Sequence, residues 1–426
     1  MRDEPGTLSC AQDRSSAWCH QTKEERRLRY DFDRPVQREG TGSVKWDGRK
    51  ARFGAADVVP LWVADMDFQA PKPVLDALAE RVRHGVFGYT AASADYQRAV
   101  INWQERRHQF APRPEWLCHS PGVVAGLSLM VSAYTEPGDG VIIQPPVYHQ
   151  FNAVLKALGR KTVANPLQYD GHRYTIDFED LEQKAQSAKL LFLCNPHNPI
   201  GQVWSRADLI RLGEICIRYG VLVIADEVHA DLVLGDTPHV PFASISEEFA
   251  SHSVTCVAPS KTFNLAGMQT AVVIIPDPDL RHAYDRWLHD YHLWGLNPLA
   301  ATALIAAYDQ GEEWLDQLLA YLRQNVALVC RFIAEKLPEI RVRPPEATYL
   351  MWLDCRALGL EGAALERFFV EEAGVGLDGG HQFGSGGSGF LRLNVALPQA
   401  TLLVALKKME QAVRNRSVSE GAKAAR

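Results

Sequence analysis

The stretch Ala258-Pro259-Ser260-Lys261-Thr262-Phe263-Asn264-Leu265-Ala266-Gly267 stands directly before the apolar run Ala271 to Ile275. A single lysine followed at once by small and turn-forming residues is an odd setting for a solvated charge, and it reads as a side chain aimed at a ligand. Upstream, Val221-Leu222-Val223-Ile224-Ala225-Asp226-Glu227 is an apolar run ending in acid. It is expected to be a buried strand that delivers Asp226 at its carboxyl end. Leu190 to Cys194, followed by Asn195-Pro196-His197-Asn198-Pro199-Ile200-Gly201, repeats the order of strand and polar turn. Open α/β sheets gather ligands at such strand ends. Three of them therefore bring Asn198, Asp226 and Lys261 towards one place.

Working outward, the runs Val141 to Ile143, Leu190 to Cys194, Val221 to Ala225, Val254 to Ala258 and Ala271 to Ile275 alternate with helical patterns such as Arg206 to Tyr219. That alternation predicts an α/β fold, a mainly parallel central sheet with flanking helices. Residues 68–307 are expected to form this large domain. A long helix over Glu312 to Lys336 leads to candidate strands at Tyr349 to Asp354 and Phe390 to Leu397, a smaller α+β domain over 308–414. Residues 1–26 are expected to be a disordered extension, with a helix onset at Lys23 to Leu28, and residues 415–426 a frayed tail.

Composition narrows the function classes. The chain of 426 residues is 46% hydrophobic and 23% charged, as globular enzymes are. A net charge of -6 gives no basic footprint for nucleic acid. No run approaches the roughly 18 apolar residues of a membrane span, and residues 1–26 lack the apolar core of a signal peptide. The 8 cysteines show no zinc or thioredoxin spacing, which suits reduced thiols in a cytoplasmic setting. Asp226-Glu227-Val228-His229 has no second histidine at ligand spacing, so no metal is expected.

An amine, an acid and an amide at neighbouring strand ends suit one cofactor class. A lysine can hold an aldehyde as a Schiff base, and pyridoxal phosphate sites add an acid for the protonated ring nitrogen and an amide for the phenolate oxygen. Each residue alone also reads as a helix cap, a turn residue or a surface charge; their joint placement after apolar runs favours the chemistry. Tyr148, after the strand ending at Gln144, offers a ring to stack on, with core packing as the alternative. Its neighbour His149 is within reach of the same region. Ser120-Pro121-Gly122-Val123-Val124 suits a phosphate, because Gly122 permits a tight turn and Val123 and Val124 open a helical pattern whose first amides can donate. The glycine-rich stretch Gly376 to Gly389 allows a flexible linker as one reading, yet it runs into Phe390-Leu391-Arg392-Leu393-Asn394. Arg392 alternates there with apolar residues, and a charge facing inward from a strand calls for an anion, internal or bound.

The order Asn198, Asp226, His229, Lys261, Arg392 resembles the fold-type I pyridoxal-phosphate enzymes of the class I and II aminotransferase superfamily. Tyr30-Asp31-Phe32-Asp33, Lys45-Trp46-Asp47, Ala64 to Phe68, His84 to Thr90, Cys194 to Pro199 and Asp226 to Leu232 narrow the resemblance to MalY/PatB-type cystathionine β-lyases, the cysteine-S-conjugate carbon-sulfur β-lyases. It extends over roughly residues 28 to 412.

The resemblance implies the following expectations. The fold is that of the pyridoxal-phosphate-dependent transferases, with residues 27–67 returning to the small domain. Lys261 is the catalytic residue and carries the cofactor. Ser260 supplies a hydroxyl to its phosphate, and His229 stands near the ring where many aminotransferases have a tyrosine. Arg392 clamps the α-carboxylate of a small amino-acid substrate, with Asn198 in contact. Tyr89 crosses a homodimer interface to touch the partner's cofactor and substrate. Gln269 departs from the pattern, since many members carry a phosphate-binding arginine there. The implied activity is cleavage of cystathionine or related cysteine S-conjugates to a thiol, pyruvate and ammonia. An aminotransferase using the same residues, or a regulator-binding protein that retains the site, are the alternatives.

Overall fold

The computed structural model describes residues 30–424; the expected extension over 1–26 and the helix onset at Lys23 to Leu28 lie outside the described residues. The large sheet has seven strands: β1 (Leu117–Ser120), β2 (Gly140–Ile143), β3 (Lys161–Ala164), β4 (Ala188–Cys194), β5 (Leu222–Asp226), β6 (Ser253–Val257) and β7 (Ala271–Ile274). Their order is β1-β7-β6-β5-β4-β2-β3. The block β6-β5-β4-β2-β3 is parallel throughout, while β7 runs antiparallel to both β6 and β1. Strands β2, β6 and β7 are buried at every position. Layers cover both faces, which is why these strands read as continuous apolar runs rather than alternating ones.

The helix Glu312–Lys336 leads to a second, antiparallel sheet of β8 (Arg341–Val342), β9 (Leu350–Asp354), β10 (Asp378–Gly379) and β11 (Phe390–Asn394), ordered β8-β9-β11-β10. Val59–Pro60 pairs in parallel with Val375–Gly376 as a separate two-stranded ladder. The strand expected to reach Leu397 ends at Asn394, because the Asn394 side chain turns to other work. Its Nδ2 donates to the Val63 and Asp65 carbonyls, and its Oδ1 accepts from the Ala396 amide, which draws the chain out of the ladder.

Two expectations change. The Gly376 to Gly389 stretch is not a linker: it contains β10 and a tight turn over Gly380–Phe383. Its glycines permit backbone contact, since a Cβ on Gly380 would lie 2.2 Å from the Gly387 carbonyl oxygen. The expected frayed tail is also helical, as the last helix runs from Gln399 to Ala424. Pairs one turn apart, Gln411 with Asn415 and Arg414 with Glu410, support it past the last core contacts.

Candidate active site

Strands β4, β5 and β6 are neighbours and parallel, so their carboxyl ends open at one edge. Asp226 is the last residue of β5 and is 4% exposed. Asn198 lies in the turn after β4, and Lys261 lies in the short helical turn Pro259–Thr262 after β6. The flanks of Lys261 are pinned. Thr262 donates to Asp231 at 2.7 Å, and Asn264, at φ +58°, bonds Met66 through both its carbonyl and its amide.

These side chains line one cavity of about 860 Å³. It also holds Gly122, Val123, Val124, Tyr148, His149, His229, Ser260 and Arg392, each anticipated from sequence, together with Gln269. Tyr89 is not there. It lies 95% exposed on a separate surface, its ring tilted against Trp294 at 5.7 Å.

Electrostatics follow from burial. With no cation at ion-pair distance among the described residues, burial pushes the Asp226 carboxyl up to about 6, against the opposing Val228 amide and the Lys261 charge. Burial, then the positive field of Arg392, lowers the Lys261 amine to about 8. Its Nζ donates to the Ala64 carbonyl at 2.7 Å. His229 is driven down to about 3 by burial first and then by Lys261 and Arg392, so it is neutral, with Nδ1 unpartnered. Burial raises the Tyr148 hydroxyl to about 12.

Arg392 is 4% exposed on β11, opposite Trp352. Its Nη1 donates to Asn198 Oδ1 at 2.9 Å, its Nη2 donates to Asp378 and to the Trp62 carbonyl, and Phe383 lies beneath the guanidinium at 4.9 Å. That leaves Asn198 Nδ2 with no partner among the described residues. The helix Val123–Tyr134 begins at Gly122, whose φ of +124° only glycine adopts freely. No side chain caps it, so its first-turn amides are available to an anion.

Sequence reasoning missed the strap Trp62 to Met66 and its carbonyls, as well as Asp378 and Arg52. The strings Lys45-Trp46-Asp47 and Ala64 to Phe68 carried the resemblance, but nothing local in them announces that Ala64 meets Lys261.

The family model for aminotransferase class I and II matches residues 56–409. Among curated relatives, the cystathionine β-lyase PatB of Bacillus subtilis is 46% identical over 385 residues, covering 90% of this chain and 100% of its own. Among solved structures, cystalysin of Treponema denticola, which contains a pyridoxal 5'-phosphate cofactor, superposes with a TM-score of 0.87 at 35% identity, covering 91% and 99% of the two chains. The pyridoxal-phosphate-bound C-S lyase of Staphylococcus hominis gives a TM-score of 0.85 at 33% identity, with coverage of 91% and 99%.

Proposed function

The chain belongs to the aminotransferase class I and II family, and on that premise we propose that it is a pyridoxal-phosphate-dependent carbon-sulfur β-lyase. Its substrates on this reading are cystathionine or related cysteine S-conjugates. The observation that carries the cofactor assignment is Asp226, a buried carboxylate with no cation at ion-pair distance among the described residues, in one cavity with a buried amine. A protonated ring nitrogen would be the missing partner, and would draw the Asp226 carboxyl back down.

The other residues fit the same group. Lys261 would carry its aldehyde carbon, and Asn198 Nδ2 would donate to its ring oxygen. Tyr148 would cover one face of the ring. The Gly122, Val123 and Val124 amides and the Ser260 hydroxyl would hold the phosphate, which suits a site with Gln269 where an arginine often stands. Neutral His229 would fill the second layer by the ring. When bound, pyridoxal phosphate supplies an electron sink that stabilises negative charge at the substrate Cα.

The chain's own residues then divide the work. Arg392, already oriented by Asn198 and Asp378, takes the substrate α-carboxylate with its fork. Lys261, lowered to about 8, is partly neutral near physiological pH and accepts the proton from Cα. The thiolate then leaves the β-carbon. The Ala64 carbonyl accepts a hydrogen bond from the Lys261 amine during that exchange.

We read the active form as a cytoplasmic homodimer with shared sites. The exposed side chains of Phe87, Tyr89 and Trp294, which line one surface hollow, are the kind of apolar surface that a partner covers. Tyr89, outside its own chain's cavity, would enter the neighbour's. No helix among the described residues is long and apolar enough to cross a membrane.

The deciding assay incubates purified protein with cystathionine and no keto acid. Equal amounts of pyruvate, ammonia and thiol over many turnovers are expected. Turnover that requires 2-oxoglutarate, with glutamate formed and no thiol released from any cysteine conjugate, would make it an aminotransferase instead.

A further inference from the structure

The N-terminal segment adds a second cation to the cavity. Phe53 ends the short helix Arg49–Phe53 and packs edge-on against Trp62 at 5.5 Å. It also fills the space beside Gly376, where a Cβ would lie 2.5 Å from its ring. Arg52 is held by the same contacts. Its guanidinium carbon sits 5.1 Å from the Phe53 ring centre and 5.8 Å from that of Trp62, and Nη2 lies 2.5 Å from Glu366 Oε1.

That ion pair is incomplete in a specific way. The charges touch through Nη2, and neither that nitrogen nor Glu366 Oε1 has a further partner, although both atoms are buried. No other nitrogen of the guanidinium donates to a described residue. A guanidinium carries five N–H donors, and those of Arg52 beyond the Glu366 contact are open to a ligand in the cavity that it lines. Glu366 is committed through its other oxygen, which accepts from Gln382 Nε2 at 3.1 Å.

Arg52 and Gln382 line the same cavity as Lys261 and Arg392. The Arg52 charge reaches inward: after burial and Arg392, it contributes to holding the His149 imidazole low, against Asp378. The cavity therefore has two cations of different kinds. Arg392 is buried, its Nη1 and Nη2 placed by Asn198, Asp378 and the Trp62 carbonyl, whereas the Arg52 side chain is 29% exposed and is placed on one side only, by Glu366.

Resting on the β-lyase reading, we propose that Arg52 recognises a carboxylate at the far end of the leaving thiol. The enzyme thereby prefers cysteine S-conjugates whose thiol carries an acid group, cystathionine among them, over plain S-alkyl cysteines. With the α-carboxylate on Arg392, the sulfur side of the substrate needs a separate anion site, and Arg52 is the remaining cavity cation with unused donors. Phe53 and Trp62 lie against the guanidinium, whose fork suits a carboxylate. Glu366 balances the charge when the leaving group has no acid, so S-alkyl conjugates are admitted but gain nothing from Arg52.

The test is a ratio: kcat/KM for cystathionine over kcat/KM for S-ethyl-L-cysteine. Arg52→Gln should lower it by about 10- to 100-fold, the scale of one charge-assisted hydrogen-bonded contact. Arg52→Lys, which keeps a charge opposite Glu366, should lower it less and reads the same ratio if the glutamine variant does not fold. A ratio within about twofold of the native value in the folded variants, including equal loss on both substrates, overturns the assignment. The same preference read as dissociation constants by calorimetry, in cofactor-loaded Lys261→Ala protein with and without Arg52→Gln, scores Arg52 independently of thiol release. If the native enzyme cleaves neither compound yet the calorimetric preference vanishes with Arg52, the β-lyase reading fails and the Arg52 site stands.

Discussion

Lys261 and Ala64, 197 positions apart in sequence, meet at 2.7 Å through the lysine Nζ and the main-chain oxygen. The Tyr349 hydroxyl donates to that same oxygen at 2.9 Å. Asn394 Nδ2 bonds the carbonyls on either side of Ala64, and Arg392 bonds that of Trp62. The strap 62–66 is therefore shaped by Lys261 from the turn after β6, by Tyr349 just before β9 and by Arg392 and Asn394 of β11, and becomes one wall of the site. Its carbonyls point at the two cations that the chemistry needs, which ties the reacting centre to the N-terminal segment.

Lys261 should differ from every ordinary lysine in reactivity. Burial and Arg392 lower it to about 8 from 10.5, so its neutral form grows as pH rises through about 8. In cofactor-free protein, modification by an amine reagent should reach half its maximal rate at this residue near that pH, well below exposed lysines. In loaded protein, borohydride should fix the cofactor to the Lys261 peptide. Fixation on a different lysine would remove the assignment.

Asp226 should destabilise the cofactor-free protein near neutral pH. Its folded value, about 6, lies above the ordinary 3.8, so the folded chain favours the protonated carboxyl. The sign follows: that contribution is fully present below pH 4 and is lost as pH rises through about 6. The shift corresponds to at most about 3 kcal/mol. Cofactor-free Asp226→Asn should therefore melt higher than the native chain at pH 7.5, with the gap closing at pH 4.5. The loaded variant should lose roughly 100- to 1000-fold in turnover, having lost the partner of the ring nitrogen. A lower melting point for the cofactor-free variant at pH 7.5 would contradict the electrostatic account.

Arg392 should resist conservative replacement. Its guanidinium reaches Asn198, Asp378 and the Trp62 carbonyl at once, a geometry that an ammonium cannot reproduce. Arg392→Lys is expected to raise KM for any amino-acid substrate by about 10- to 100-fold. Steady-state kinetics on two substrates of different side chain should show equal increases, because the α-carboxylate is common to both. An increase confined to one substrate would place Arg392 on the side-chain end instead.

The proposal of a site shared between two subunits can be tested by complementation. Lys261→Ala protein mixed with Tyr89→Ala protein should regain activity, since one site of each hybrid dimer then receives its lysine from the Tyr89→Ala chain and its tyrosine from the Lys261→Ala chain. No recovery after verified subunit exchange, with both parents severely impaired, would return Tyr89 to a surface role.

Much of this arrangement was legible in the sequence because its signals are local. Buried parallel strands announce themselves as unbroken apolar runs, and Asp226 and Lys261 follow such runs within a few residues. Gly122 opens a helix pattern in the same way. What could not be read depends on chain reversals over long separations. Ala64 shows nothing in its own neighbourhood, since its part is played by a carbonyl. Glu366, amid helix residues, reads as a surface acid until the fold sets it against Arg52 and Gln382. The glycines between 376 and 389 leave a linker open as one reading, because close backbone packing and flexibility use the same residue.

The last prediction concerns Lys45, which is fully buried and 2.9 Å from Asp67, itself 4% exposed. Arg38 bonds the same carboxylate at 2.7 Å and also Asp65, and the Trp46 indole donates to Asp67 at 2.9 Å. Burial alone would raise the Asp67 carboxyl, but the Lys45 charge and the bonds from Trp46, Lys45 and Arg38 outweigh it and hold it below the usual range. Its stabilising contribution is thus present above the unfolded value and is lost as pH falls through the folded one. Breaking a buried pair by removing one partner costs about 3–5 kcal/mol, and Lys45→Met should fall at the lower end because Arg38 remains on Asp67. Adding Asp67→Asn should cost less than the sum of the two single changes, since it removes the stranded charge. Urea unfolding of the cofactor-free proteins at pH 7.5 measures all three. A Lys45→Met cost below about 0.5 kcal/mol, within the range of ordinary surface substitutions, would mean that this network does not anchor the strap.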